Sequence, residues 1–434
     1  MRTLLSRLTA LSTVAALAFG LGAASPEPQD HQQRRRDVQT GVQVLMADRY
    51  ATLRGQKVGV ITNPTGVLPD LSHEVDVMAR SDEVDLVAVF GPEHGFRGTA
   101  QAGGSEGYYK DEQTGLPVYD TYLKSGQALA DIFTRSGVDT ILFDIQDAGT
   151  RFYTYVWTMF DSMVAAAMAG KRFVVLDRPN PIMSERAYGP VMTPEFATFV
   201  GREAISQAHG MTVGELARLF NAEFLPRHGS GKKVDLAVVE MRGWRRGMPY
   251  EETGLPWVPP SPNMPTVDTA VVYPGTGMFE GTNLSEGRGT TRPFELVGAP
   301  YVDHRWGAEL NALRLPGVRF RQAYFTPTFS KHVGKVCGGV QVYVTDRDRF
   351  DPIRTGVAML VTAKRLYPAD FQWRYDSNDP ARPYWIDKLT GSPRVRADID
   401  AGKSPDEVAA GWAAQLRAFA DLRAKHLIYR GGRR

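Results

Sequence analysis

From residue 40 onward, short runs rich in Val, Ile and Leu alternate with stretches of helical periodicity, and this alternation constrains the fold more than any other feature. It is the pattern of parallel strands covered by helices on both faces, with strands expected at 57–61, 85–90, 140–145, 172–176 and 234–239. Helices are expected at 125–136 and 156–168, and Thr212-Val213-Gly214-Glu215 resembles a capping box opening a helix that runs to Phe224. The first four strands are each followed by polar, Gly or Pro residues. In open α/β sheets ligands gather at the carboxyl ends of the strands, so these four loops are expected to share one edge and to carry the chemistry. From 242 to 274 the pattern dissolves into Gly, Pro and Trp, which reads as a domain connection. Beyond it, strands at 318–325 and 339–344 and helices at 352–367 and 405–427 predict a smaller α+β domain. The expected division is 40–270 and 271–434.

Composition narrows the function classes. At 434 residues, 43% hydrophobic and 23% charged, the chain can bury a sizeable core. Its 51 basic and 48 acidic side chains nearly balance, so nothing in the total calls for a nucleic-acid partner. Cys337 is the single cysteine, which excludes an internal disulfide framework and a Cys-based zinc cluster. Residues 1–24 read as an export signal: Arg2 and Arg7 precede an apolar stretch over 8–21, and Gly22-Ala23-Ala24-Ser25 offers small residues for cleavage. A polar leader is expected over 25–39. No later stretch is long enough to span a bilayer, so the expected location is exported, periplasmic or extracellular.

Two clusters are dense in reactive groups. Gly91-Pro92-Glu93-His94-Gly95-Phe96-Arg97-Gly98 places a carboxylate, an imidazole and a guanidinium directly after an expected strand. A carboxyl held among aromatic and apolar groups can donate a proton to a leaving oxygen, although Glu93 and Arg97 could equally pair to pin the loop. After the third strand, Asp144 and Asp147, with Arg151, Tyr153 and Tyr155, would supply acceptors, a carboxylate-binding fork and stacking faces. Asp147 could instead cap the following helix, and the tyrosines could be core residues. The second cluster runs from Phe279 to Glu295, where Glu280, Asn283, Ser285, Arg288 and Arg292 suit a sugar or an anion; a Gly-rich connector is the plain alternative. Asn283-Leu284-Ser285-Glu286-Gly287 lacks the first glycine of a nucleophile elbow, Gly402-Lys403-Ser404 lacks the first glycine of a phosphate loop, and no His-Glu-x-x-His run occurs.

The Gly-Pro-Glu-His-Gly run, residues 144–155, 176–181, 260–265 and 273–294, taken in that order, resemble the exo-β-N-acetylmuramidases of glycoside hydrolase family 171. The likeness spans nearly everything from residue 40 onward. It implies a Rossmann-like catalytic domain beside a smaller auxiliary domain, with a cleft between them. It also implies release of β-1,4-linked N-acetylmuramic acid from the non-reducing ends of peptidoglycan fragments, with no nucleotide or metal required. By its place in the motif, Glu93 is similar to the family's proposed catalytic glutamate. A second carboxyl is usual in glycoside hydrolysis, and Glu280, Asp147, Asp144 and Glu286 are the candidates, with Glu280 favoured for its place in the second cluster. Substrate assistance by the sugar's acetamido group is the alternative chemistry. The substrate's lactyl carboxylate calls for Arg in the site, so His94, Arg97, Asp144, Asp147, Arg151, Tyr153, Asn283 and Arg288 are the expected binding residues. A non-catalytic peptidoglycan-binding protein, using Trp and Tyr near 244–257 and 373–385 to stack on sugars, is the competing class.

Overall fold

The structure, a computed structural model, describes residues 37–101, 103–182 and 185–431. The expected export signal and residues 25–36 of the expected leader lie outside the described residues. Residues 37–39 are part of the fold rather than of a leader: Gln39 bridges to Arg242, and Val38 is buried against Met241 and Trp244.

Twelve strands occur in chain order: β1 (Lys57–Thr62), β2 (Asp85–Gly91), β3 (Tyr109–Lys110), β4 (Pro117–Asp120), β5 (Thr140–Asp144), β6 (Arg172–Leu176), β7 (Tyr188–Val191), β8 (Ser206–Ala208), β9 (Leu236–Val239), β10 (Leu296–Ala299), β11 (Val318–Phe325) and β12 (Cys337–Val344). Seven form one sheet in the order β3-β4-β2-β1-β5-β6-β9, parallel throughout except for the short edge strand β3. The five long apolar runs are its five central and outer parallel strands. Val58, Val60, Ile61, Ala88, Val89, Ile141, Leu142, Phe143, Val174 and Val175 are all buried, as a sheet covered on both faces requires. Helices Gly126–Arg135 and Tyr155–Ala169 pack together over one face, and the Thr212 capping box forms as expected. The helix that it opens keeps α geometry only over Val213–Leu219 and widens into a π turn over Phe220–Phe224.

Because β2 and β4 lie on one side of β1 and β5, β6 and β9 on the other, the strand order reverses between β1 and β5, which is where open α/β sheets form their crevice. The loops after β1, β2, β5 and β6 do meet there. The Thr62 hydroxyl donates to the Asp144 carbonyl, the Gln146 amide to the Thr65 hydroxyl, the Gln146 side chain to the Pro179 carbonyl, and the Thr154 hydroxyl to Glu93.

In the second half an antiparallel sheet, β10-β12-β11, is backed by helix His304–Ala312, on which helix Pro352–Leu366 packs in turn, giving the expected α+β arrangement. The expected connection at 242–274 holds a buried helix at its end, Val267–Thr276, with Pro274 inside it. The expected single helix at 405–427 is two, Pro405–Ala410 and Ala413–Ala424. Among the described residues no helix is long and apolar enough to cross a membrane.

Candidate active site

Beyond β2 the chain makes a long loop that is braced from within. His94 takes a left-handed backbone (φ 71°), and its amide donates to the Gly104 carbonyl while its Nδ1 lies 3.1 Å from the Ala100 carbonyl. The Glu106 carboxylate accepts from the Phe96 and Thr99 amides, the Thr99 hydroxyl and the Tyr109 hydroxyl. This bracing delivers Glu93, half-buried, to the mouth of the crevice. One of its oxygens accepts from the Gly103 amide at 2.8 Å and the other from the Thr154 hydroxyl at 2.9 Å. The Tyr155 hydroxyl donates to the Pro260 carbonyl at 2.8 Å, tying the start of helix Tyr155–Ala169 to the segment before the second half.

Glu93 lines a cavity of about 370 Å³. Its walls come from separate elements: His94 from the β2 loop, Tyr122 from the turn after β4, Phe152 to Tyr155 from the β5 loop, and Tyr273, Glu280, Arg288, Arg374 and Trp385 from the second half. Burial, then the charge of Glu93 and a hydrogen bond to it, push the Tyr122 hydroxyl up to about 12. The Tyr273 hydroxyl is driven well above its ordinary value, first by burial and then by Glu280, and it also feels Glu93. Tyr153 is likewise raised, chiefly by burial, and its hydroxyl has no hydrogen-bond partner among the described residues. Protonated phenols are donors, so this wall can give hydrogen bonds to a sugar.

Glu280 sits on the one-turn helix Gly277–Gly281 that follows Val267–Thr276. Arg288 holds it at 2.8 Å and reaches Glu286 at 3.2 Å with its Nε, while lying over the Phe294 ring. Burial opposes the charge of Glu286, but Lys331 and Arg288 outweigh it and hold this carboxyl below its ordinary value. Glu280, Arg288 and Arg374 also line a second cavity of about 810 Å³, with Asn283, Lys331 and Trp373 among its other walls. The two cavities are neighbours.

Of the ten residues expected from sequence, Glu93, Glu280, His94, Tyr153 and Arg288 line the first cavity, and Asn283 lines the second. Four are held elsewhere. Arg97 is paired with Asp76 at 2.7 Å and Asp111 at 2.8 Å, and not with Glu93. Asp144 is buried against Arg178, beside a Glu74 whose carboxyl is raised well above its ordinary value by burial and by Asp144 itself. Asp147 accepts from the Gly149 amide and from His209 Nε2 at 3.1 Å; the Met211 amide donates to His209 Nδ1, which fixes the proton on Nε2. Arg151 is fully buried with one guanidinium nitrogen on the Leu389 carbonyl, and burial drives its pKa down to about 9. Tyr122, Tyr273 and Arg374 complete the walls without having been expected as site residues, and Trp385 comes from the 373–385 stretch that the competing sugar-binding reading singled out. Tyr273 opens the last run of the resemblance, whereas Tyr122 and Arg374 stand in no dense cluster.

Comparison with known proteins adds to this geometry. The N-terminal domain of the exo-beta-N-acetylmuramidase NamZ matches residues 58–268, and its C-terminal domain matches residues 271–429. The peptidoglycan beta-N-acetylmuramidase NamZ of Bacillus subtilis is 46% identical over 429 residues, spanning 99% of this chain and 100% of the relative. A DUF1343 family protein of Bacteroides fragilis superposes with a TM-score of 0.81 at 34% identity, covering 91% of this chain and 99% of that one. A second from the same organism gives 0.72 at 29% identity, covering 91% and 100%.

Proposed function

The chain belongs to the exo-β-N-acetylmuramidase NamZ family, and from that premise we propose how its two glutamates divide the work of releasing N-acetylmuramic acid from the non-reducing ends of peptidoglycan fragments. It is a glycoside hydrolase. Glu93 acts as the general acid, giving its proton to the glycosidic oxygen as the bond from that oxygen to the anomeric carbon breaks. Glu280 is the partner carboxylate, and Arg288 positions it. In the overall reaction water supplies the hydroxyl to the anomeric carbon, and its remaining proton restores the acid.

One observation carries this reading: Glu93 and Glu280 come from opposite halves of the chain yet line a single cavity, where Tyr273 feels the charge of both. The other candidate carboxylates do not line that cavity. Asp144 is bound by Arg178, Asp147 by His209 and Gly149, and Glu286 by Lys331 and Arg288. Phe152, Phe199, Val200 and Leu389 supply the apolar wall that a pyranose face needs.

A chromogenic β-N-acetylmuramide tests the assignment. Glu93→Gln keeps both hydrogen bonds possible and removes the proton, so kcat should fall by about 10²–10⁴-fold with the thermal midpoint unchanged. Undiminished turnover by Glu93→Gln counts against the acid role. We also assign residues 1–24 to export: protein recovered from outside the cytoplasm should begin near residue 25, and recovery of the intact chain there counts against cleavage.

A further inference from the structure

Recognition of N-acetylmuramic acid requires a cation for its lactyl carboxylate, and most cations around the two cavities are already engaged. Arg288 spends its guanidinium on Glu280 and Glu286. Lys331 donates to the Phe279 carbonyl, the Leu284 carbonyl and Glu286, at 2.8, 2.9 and 2.8 Å, which uses all three of its protons. Arg374 is different. Its guanidinium lies over the Trp385 ring at 4.7 Å and has no carboxylate partner among the described residues. It is exposed, and it lines both cavities at their junction.

The backbone fixes this placement. The Arg374 amide donates to the carbonyl of Gly281, the residue after Glu280, at 2.8 Å, and the Arg374 carbonyl accepts from the Trp385 amide at 3.1 Å. Thr282 bridges to Trp373 beside them. Arg374 is thus held against the turn that carries Glu280, with its planar head pre-stacked on an indole. Stacking leaves the edge of a guanidinium, where its donors lie, free to take a carboxylate with two parallel hydrogen bonds.

We propose that Arg374 is the specificity-determining residue that binds the 3-O-lactyl carboxylate of the sugar, with Trp385 as the platform that orients its guanidinium. The assignment rests on the glycosidase reading above and extends it from bond cleavage to the choice of sugar. Arg374 touches substrate away from the reacting atoms, so it acts on binding.

Two chromogenic substrates decide the matter: the β-N-acetylmuramide with its lactyl group as the free acid, and the same compound as the lactyl methylamide. The wild type should prefer the acid. Arg374→Met should lose about 10- to 100-fold in kcat/KM on the acid, mainly through KM, and change little on the methylamide. Arg374→Lys should recover part of the loss. Equal losses on both substrates, or no loss on the acid, would overturn the proposal; matched thermal midpoints exclude misfolding. If the wild type cleaves neither compound, it is the glycosidase reading that fails. Calorimetric titration of N-acetylmuramic acid and its methylamide then still judges Arg374: tighter binding of the acid that disappears in Arg374→Met supports it, and equal binding in both proteins overturns it.

Discussion

Arg97 lies between two carboxylates, with its Nη2 2.7 Å from Asp76 and 2.8 Å from Asp111, and its guanidinium stacks on the Phe96 ring at 4.2 Å. None of Arg97, Asp76 and Asp111 lines the cavity that Glu93 lines, so these contacts brace the loop and do not face that cavity. Although burial works against the charge of Asp111, Arg97 and Thr114 outweigh it and hold the carboxyl below its ordinary value. A carboxyl so depressed stabilises the fold above its unfolded-state pKa and loses that contribution as pH falls through the folded one. Arg97→Ala should therefore cost about 1–3 kcal/mol in urea unfolding at neutral pH, less below pH 4, while KM for the muramide moves less than twofold. A large rise in KM with unchanged stability would return Arg97 to the substrate, where its position in the motif had suggested it belongs.

At the scale of elements, the loop after β2 depends on one carboxylate. Glu106 gathers two amides and two hydroxyls from three residues, and Gly95, with φ 81°, lies so close that a Cβ there would sit 2.1 Å from the Glu106 Cδ. Removing that carboxylate frees the segment holding Glu93 and touches the sheet only at its short edge strand, through the Tyr109 hydroxyl. Glu106→Ala should lower kcat by about tenfold or more, since misplacing a catalytic group by an ångström is costly, yet leave the thermal midpoint within a few degrees. Wild-type kcat in this variant would show that the loop holds its shape unaided. The strands were legible in sequence because apolar β-branched runs such as Arg172–Leu176 have one stable solution, a sheet covered on both faces. Helix Val267–Thr276 was not, because Pro274 and Gly275 read locally as breakers. Its reason is tertiary: the helix packs on Pro352–Leu366, and a Cβ at Gly275 would meet the Pro352 carbonyl at 1.9 Å. The site divides in the same way. Glu93 and Glu280 stand in locally dense motifs, whereas Tyr122, Arg374 and Trp385 become neighbours only when distant elements converge, and Arg97 and Asp144 found partners that no spacing announced.

Across the whole molecule, the last residues of the second half return to the sheet of the first. The Arg423 guanidinium donates to the Gly210 carbonyl, and the Ile428 and Tyr429 amides donate to Glu215, which also pairs with Arg246. The Tyr429 hydroxyl donates to Asp177 at 2.7 Å, at the carboxyl end of β6. Asp177 is fully buried; it also accepts from the Thr212 hydroxyl and the Gly214 amide. Burial drives its carboxyl up to about 7, with the hydrogen bonds from Tyr429, Gly214 and Thr212 pulling the other way. The folded chain thus keeps a proton on Asp177 at pH values where an unfolded aspartate, at about 3.9, has lost it. Between those two values the folded state binds more protons, so this group's contribution to stability declines as pH rises toward 7. Asp177→Asn removes the titration while offering an amide that can still bond the Thr212 and Tyr429 hydroxyls, since both oxygens also accept. Unfolding midpoints in urea should fall from pH 5 to pH 8 more steeply for the wild type than for Asp177→Asn, the difference reporting Asp177 alone because every other titrating group is shared. Parallel curves would mean that its hydrogen bonds keep the carboxylate ionised throughout, and that the docking of residues 423–429 onto the first half is indifferent to pH.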